Sequence, residues 1–392
     1  MIFNKINIKH PLQLCFFVIV YGFSCMVSNL SAEPGISQKT ITIGQSCALT
    51  GPSEDLGKRM KAGIISALDQ LNVRGGIHGR QIRLIVKNDY YEPGQALENT
   101  EELIFKNKVF ALIGQVGTPT SRVVVPIAQK EKIPFIAPFT GAGFLRYPVK
   151  SHVINIRAGY AEETLEIIKY LVLEKQFDRI ACFYQDDSFG FAGLQGVKKA
   201  LKSFGLKLIS AHSYQRNTVA VMGSFLKIRE SSPQAVVLVG SYQPCAEFIK
   251  LAKARGMNHT VFATLSFSGT QSLIKALRHA TDNIIISQVM PSPDNRDMEI
   301  VKNYTQAMET FQPEQELSYI SLEGYIAGRF FIEVLKGIGE PITRQRFIDY
   351  IEQKKTIKID DIVLAFGPED HQGLDVTYLT RIRDGKIVPL VE

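Results

Sequence analysis

The chain has 392 residues, 45% of them hydrophobic and 21% charged, which argues against both a disordered polymer and a membrane bundle and is too long for one core, so two domains of ordinary size are expected. The net charge of +7 is spread along the sequence. Its densest run, Lys354-Lys355 to Lys358, is short and lacks interleaved aromatics, so it reads as a solvated helix end and no nucleic-acid partner is expected.

The one long apolar run lies at the start. Lys5 and Lys9 form a basic n-region, Leu12 to Val27 an h-region and Leu30-Ser31-Ala32 a cleavage site, so residues 1–32 read as a signal peptide cleaved near Ala32. The run approaches spanning length, which leaves an uncleaved anchor helix as the alternative. Cys25 follows Gly22-Phe23-Ser24, where the bulky Phe23 and the missing aliphatic residue make a poor lipidation site.

From Ile41 the pattern changes to strand, loop, helix, strand, helix. Ile41 and Ile43 alternate, Thr50-Gly51-Pro52 breaks the strand, and Met60, Ile64, Leu68 and Leu71 recur at helical spacing. Gly75, Gly76 and Gly79 end that helix and turn the chain into the strand Ile82 to Val86. Further short apolar runs follow at Val109–Ile113, Ile133–Ala137, Val153–Arg157, Arg179–Tyr184, Ala235–Gly240 and Ile284–Met290, separated by helical patterns such as Ser318–Gly337. This alternation predicts an α/β fold of parallel sheets wrapped by helices.

Enzyme motifs nearly form and fail. Gly51 to Lys58 has five residues between its glycines and Arg59 where a P-loop needs Ser or Thr. In Gly141-Ala142-Gly143, Arg146 stands where a dinucleotide fingerprint needs its third glycine. Gly44-Gln45-Ser46-Cys47-Ala48 approximates a nucleophile elbow, but a loop follows it instead of a helix and no histidine partner is evident. The seven histidines have no ligand spacing, so neither catalysis, a metal nor a cofactor is expected. Beyond the leader, Cys47, Cys182 and Cys245 are an odd set without CxxC spacing; Cys47 and Cys182, on or beside apolar strands, read as small buried hydrophobes, with a Cys182–Cys245 bridge as the alternative.

The ordered words Thr50-Gly51-Pro52, Gly57, Ala62-Gly63, Asn72, Gly75-Gly76-Ile77, Gly79, Asp89 and Pro93 resemble the branched-chain amino-acid type of periplasmic solute-binding protein, the Leu/Ile/Val-binding family that serves ABC importers. Ile113-Gly114, Ile133-Pro134, Arg157-Ala158, Phe189-Gly190 and Ser321-Leu322-Glu323-Gly324-Tyr325 extend the likeness over about residues 40 to 390. The resemblance implies two doubly wound parallel-sheet lobes joined by a three-crossover hinge near Arg157, Ser287 and Ile359. The implied N-terminal lobe is 33–156 plus 286–358, and the C-terminal lobe 157–285 plus 359–392. It also implies a periplasmic monomer that closes around a small solute, an amino acid or related carboxylate or amide, and delivers it to an ABC permease in the inner membrane. The alternative is a receptor that signals in trans.

The candidate binding residues sit at loops after strands. Thr118 is read as an N-cap with Pro119 at the first helical position and Thr120 next, a helix start suited to a carboxylate. The alternative for Thr118 is a plain structural cap. Relatives hold an amino-acid carboxylate at this loop. They also carry a small residue then Thr in the following loop, where this chain has Thr140 then Gly141, so the resemblance leaves branched-chain specificity open. From the second lobe come Tyr160, Tyr242 and Phe189, which by the resemblance replaces a ligand-contacting Tyr. Asp186, Asp187 or Glu162 can meet an ammonium group, while Asp186-Asp187 also reads as an ordinary helix cap.

Overall fold

The computed structural model describes Met1, residues 33–383 and residues 385–390. The expected signal peptide and Cys25 lie outside the described residues. Among the described residues, no helix is long and apolar enough to cross a membrane.

The first lobe is built on β1 (Thr40–Cys47), whose Ile41 and Ile43 are fully buried. After the Gly51 turn come α1 (Glu54–Asn72), β2 (Gln81–Asn88) and α2 (Pro93–Glu101), the last opened by proline, which has no N–H to leave unpaired there. β3 (Leu112–Ile113), α3 (Thr118–Lys130), β4 (Phe135–Ile136) and β5 (Val153–Ile154) complete a parallel sheet of order β2-β1-β3-β4-β5. The expected strands 109–113, 133–137 and 153–157 are present with shorter ladders. At the first two, the backbone turns left-handed immediately after pairing, at Gly114 (φ 65°) and Ala137 (φ 49°).

The second lobe runs α4 (Tyr160–Lys169), β6 (Ile180–Gln185), α5 (Ser188–Ser203), β7 (Ser210–Tyr214), α6 (Met222–Glu230), β8 (Ala235–Val239), α7 (Tyr242–Ala254), β9 (Val261–Thr264), α8 (Thr270–Leu277) and β10 (Ile284–Gln288). Every residue of β8 is buried, as expected of a parallel strand covered on both faces. The chain then returns to the first lobe as α9 (Glu299–Phe311), α10 (Tyr319–Ile338) and α11 (Arg344–Lys354). A hairpin, β11 (Thr356–Ile359) and β12 (Ile362–Ala365), leads back to β13 (Tyr378–Arg383) and β14 (Lys386–Pro389). These two add antiparallel to the second sheet, of order β14-β13-β10-β9-β8-β6-β7. The chain therefore crosses between the lobes three times.

Helix α10 is apolar on nearly all faces because it is buried between α1, α9 and α11. Ser318 caps it through the Ser321 N–H, and Ser321 returns a bond to the Ser318 N–H. Its crossing with α1 depends on glycine: a Cβ on Gly63 would lie 1.9 Å from the Ser321 carbonyl oxygen, and one on Gly324 2.3 Å from that of Met60. Cys47, Cys182 and Cys245 are free and buried, so the Cys182–Cys245 bridge does not form. Instead Cys182 packs in β6 and Cys245 lies against the Gly240 and Ser268 loops.

Candidate functional site

Both sheets send the loops at the carboxyl ends of their strands into the space between the lobes, where open α/β sheets bind ligands. From the first lobe come Asp89–Tyr91 after β2, Gly114–Gly117 after β3 and Ala137–Gly141 after β4. From the second come Asp186 and Asp187 after β6, Gly240 and Ser241 after β8, and Leu265–Phe267 after β9. The first-lobe loops are held in a conformation few residues tolerate: Tyr90 (φ 55°), Tyr91 (φ 60°) and Ala137 (φ 49°) are left-handed. Such strain costs on the order of 1–3 kcal/mol each and collects at binding sites. Gly117 takes φ 106°, and a Cβ there would sit 2.2 Å from the Tyr91 ring, so only glycine fits.

Gly117, and not Thr118, is the N-cap of α3; Thr118 and Pro119 are its first two residues. The Thr118 hydroxyl shares a 2.7 Å hydrogen bond with that of Thr140, which donates at 3.2 Å to the Tyr160 hydroxyl. A buried chain of three hydroxyls thus runs from the first turn of α3 and the loop after β4 to the first turn of α4 in the second lobe. Gly141 anchors the same place, its carbonyl accepting the Tyr160 N–H at 2.7 Å. Burial raises the Tyr160 phenol above its ordinary range, so it stays protonated and able to donate.

Aromatic rings form the wall beside this chain. Phe189 lies 5.4 Å from Tyr160 and 4.4 Å from Phe267, and Phe267 reaches across to Phe139 at 5.4 Å and Tyr91 at 6.2 Å. Phe139 and Tyr91 belong to the first lobe, Phe267 and Phe189 to the second.

Beneath the rings, in the first crossing, lies Arg157, 1% exposed, with its guanidinium 4.5 Å above the Phe139 ring. It donates to the Ser266 hydroxyl and stands 3.9 Å from Glu163 of α4 and 3.7 Å from Glu323 of α10. Those separations are ion pairs but not hydrogen bonds. Glu163 accepts from the Ser266 N–H (2.7 Å) and the Ser287 hydroxyl (2.5 Å). Burial raises the carboxyl groups of Glu163 and Glu323; Glu323, further pushed by the charge on Glu163 and held back by Arg157, reaches about 7. A cavity of about 10 Å³, room for roughly one water, adjoins Arg157, Phe139, Ser266 and Glu323.

At the rim the lobes are tied directly. Arg216, on the second lobe, pairs with Glu92 of the first at 2.7 Å and with Asp187 at 3.1 Å. Asn217 donates to Glu92 (2.7 Å) and the Tyr90 carbonyl (3.0 Å), and Gln185 donates to the Tyr91 hydroxyl (3.2 Å).

Of the residues singled out in the sequence, Thr118, Thr140, Gly141, Tyr160 and Phe189 converge. Pro119 is buried in the first turn of α3, and the Thr120 hydroxyl bonds back to the carbonyls of Val116 and Gly117. Asp186 is exposed, while Asp187 caps α5 through the N–H groups of Phe189 and Gly190. Glu162 lies beside Arg146. Tyr242 sits next to Asp55 at the start of α1, where burial and then the Asp55 charge push its phenol up to about 12. Arg157, Glu163, Phe139, Phe267, Tyr91 and Glu323 were not foreseen as site residues. For Arg157 the signal was an arginine ending an apolar strand, and for Glu323 a carboxylate inside an apolar helix.

Residues 40–386 match the family model described as periplasmic binding protein. A possible leucine/isoleucine/valine-binding protein from Rhodopirellula baltica SH 1 has a similar structure, with a TM-score of 0.86 and 34% identity over 90% of this chain and 96% of that one. A substrate-binding periplasmic protein from Ralstonia solanacearum superposes with a TM-score of 0.84 at 26% identity, covering 89% of this chain and 99% of the other. Among curated sequences, Leu/Ile/Val-binding protein homolog 7 of Brucella abortus (strain 2308) is 21% identical, covering 80% of this chain and 81% of its own.

Proposed function

The chain belongs to the periplasmic binding protein family, and from that premise we propose that it is the extracytoplasmic solute receptor of an ABC importer. It binds an amino acid or a related small carboxylate or amide between its lobes and makes or breaks no bond. The observation that carries this reading is the buried Thr118–Thr140–Tyr160 hydroxyl chain, which joins a helix start and a strand-end loop of one lobe to a helix start of the other. A solute that replaces the Thr140–Tyr160 bond takes hydroxyl partners from both lobes at once, and so binds the closed form better than the open one, the condition for driving closure.

In this reading Thr118, Thr140, Gly141 and Tyr160 are the polar contacts and Phe189 is the apolar wall. Pro119 and Thr120 shape the first turn of α3, while Asp186 and Tyr242 stand at the rim. The lobes follow the expected 33–156 plus 286–358 and 157–285 plus 359–392, with the second boundary moved past β10, which pairs wholly within the second sheet, and the third past the β11–β12 hairpin, and the leader is cleaved near Ala32 on export. The closed monomer is what the permease recognises.

The test is a thermal-shift screen of amino acids, aromatic carboxylates and short amides on protein stripped of bound solute by unfolding and refolding. A solute at a hundredfold excess over its Kd stabilises the native state by about 2.7 kcal/mol. With an unfolding entropy of about 2.1 cal/mol/K per residue, the Glu33–Glu392 unit should shift in Tm by about 3–4 °C. No shift with any solute, and unchanged scattering dimensions, would refute it.

A further inference from the structure

We propose that Asp187 is a positioning residue for closure: one carboxylate oxygen holds the start of the helix that carries the Phe189 wall, and the other orients Gln185 and Arg216 to engage the first-lobe loop 89–92. The proposal rests on the two-lobed receptor reading, but lobe closure alone tests it and no solute is needed.

The side chain of Asp187 is 10% exposed and both of its oxygens are engaged. Oδ1 accepts from the N–H groups of Phe189 (2.9 Å) and Gly190 (3.4 Å), capping α5. Oδ2 accepts from Gln185 Nε2 (2.7 Å) and Arg216 Nη1 (3.1 Å). A carboxylate occupied in this way serves the protein rather than the ammonium group of a solute.

The two donors that Asp187 orients are the ones that cross to the other lobe. Gln185 Nε2 gives its second hydrogen to the Tyr91 hydroxyl (3.2 Å), and Arg216 Nη2 reaches Glu92 (2.7 Å). Tyr214 donates to Gln185 Oε1 (3.0 Å), which fixes the direction of the amide. A free arginine side chain has many rotamers, and a charge-assisted bond to Asp187 selects the one aimed at Glu92.

The loop that receives them is preset within its own lobe. Asp89 Oδ1 accepts the Tyr91 N–H (2.9 Å) and Asn88 Oδ1 the Tyr90 N–H (3.1 Å), holding both tyrosines left-handed. Both halves of the tie are therefore set by contacts inside one lobe, and the lobes meet without reordering either. Phe189 links the tie to the site, because a solute packed on its ring steadies the same helix start that aims Gln185 and Arg216.

The experiment is single-molecule energy transfer on the mature chain, with dyes on Gln129→Cys of α3 and Lys199→Cys of α5. Both positions are exposed and the two helices, one from each lobe, pack together when the lobes are closed. Cys47, Cys182 and Cys245 are buried and stay unlabelled in native protein. Asp187→Asn is the deciding variant: asparagine caps a helix as well as aspartate does, while its Nδ2 places a donor against the donors of Gln185 and Arg216. Solute-free wild type should visit a closed, high-transfer state, and Asp187→Asn should shorten its dwell time by about threefold, within the range of one screened ion pair. Asp187→Ala should shorten it by the same factor although it also removes the cap, and Glu92→Gln should add little to Asp187→Asn, since both act through Arg216. Should Asp187→Asn fail to fold, Asp187→Ser, which also caps, takes its place. An unchanged dwell time in Asp187→Asn, shortening in Asp187→Ala alone, or independent losses from Asp187→Asn and Glu92→Gln would overturn the inference. So would a wild type that never closes without solute. Each of these outcomes leaves the receptor reading to its own solute screen.

Discussion

Replacing Arg216 with Ala removes a direct ion pair between the lobes without touching the hydroxyl chain or the aromatic wall. Arg216 is about one-fifth exposed and Glu92 nearly half, so solvent screens the pair and its contribution is about 0.5–1 kcal/mol, near that of surface pairs. Only the closed form gains it. Loss of about 1 kcal/mol of closed-form stability weakens solute binding roughly fivefold, as 1.4 kcal/mol is tenfold. Arg216 also pairs with Asp187 in its own lobe, so Glu92→Gln is the cleaner probe of the interlobe contact. Calorimetry should show both single variants weakened and the double variant no worse than Arg216→Ala alone, since the two residues share one interaction. Raising salt to about 1 M, where screening acts over roughly 3 Å, should weaken wild type and leave Arg216→Ala nearly unchanged. Additive losses, or equal salt dependence in both proteins, would refute the reasoning.

Gly63→Ala should destabilise by about 3 kcal/mol or more in urea unfolding, at or above the usual range for overpacking, because its Cβ meets backbone oxygen at 1.9 Å and two helices must separate. Asp89 is fully buried, and burial raises its carboxyl to about 6 against hydrogen bonds from Ser46 and the Tyr91 N–H that pull it down. The folded form therefore holds the proton more tightly than the unfolded chain, and the Asp89 contribution is fully present below pH 4 and lost as pH rises through 6. At about 1.4 kcal/mol per unit, wild type should lose on the order of 3 kcal/mol relative to Asp89→Asn between pH 4 and 7, measured by urea unfolding; a flat difference would contradict it. Native protein should resist a thiol reagent, since burial raises the thiols of Cys47, Cys182 and Cys245. Unfolded without reductant, protein cleaved near Ala32 should take up one label at each of these three cysteines by intact mass; a missing pair would mean a disulfide.

The fold was legible because it rests on local signals that are also packing requirements. Gly57 and Gly63 sit where a Cβ would strike the carbonyl oxygens of Ala48 and Ser321, so the spacing that marks the family in sequence is the spacing at which backbones touch. The α/β alternation fixed the sheets but not the closing antiparallel strands β13 and β14, which are short and polar on one face. At the site, Thr118, Thr140, Gly141, Tyr160 and Phe189 could be named because each follows a strand or opens a helix. The cap assignment failed at Thr118: which residue ends the loop depends on Gly117 turning left-handed around Tyr91, a contact between loops far apart in sequence. Phe267 and Glu163 were unreadable for the same reason, and Glu323 showed only as a carboxylate inside an apolar helix, without its partners. Their role exists only where three crossings bring α4, α10 and the β9 loop against Arg157.

The most direct test is native mass spectrometry of exported protein, followed by identification of whatever denaturation releases. A single small solute, an amino acid or a related carboxylate or amide, released chemically unchanged and rebinding to refolded protein one to one, is the predicted result. A solute converted to a new product on incubation, or protein that carries and rebinds no small molecule at all, would contradict a receptor that closes on its ligand without reacting.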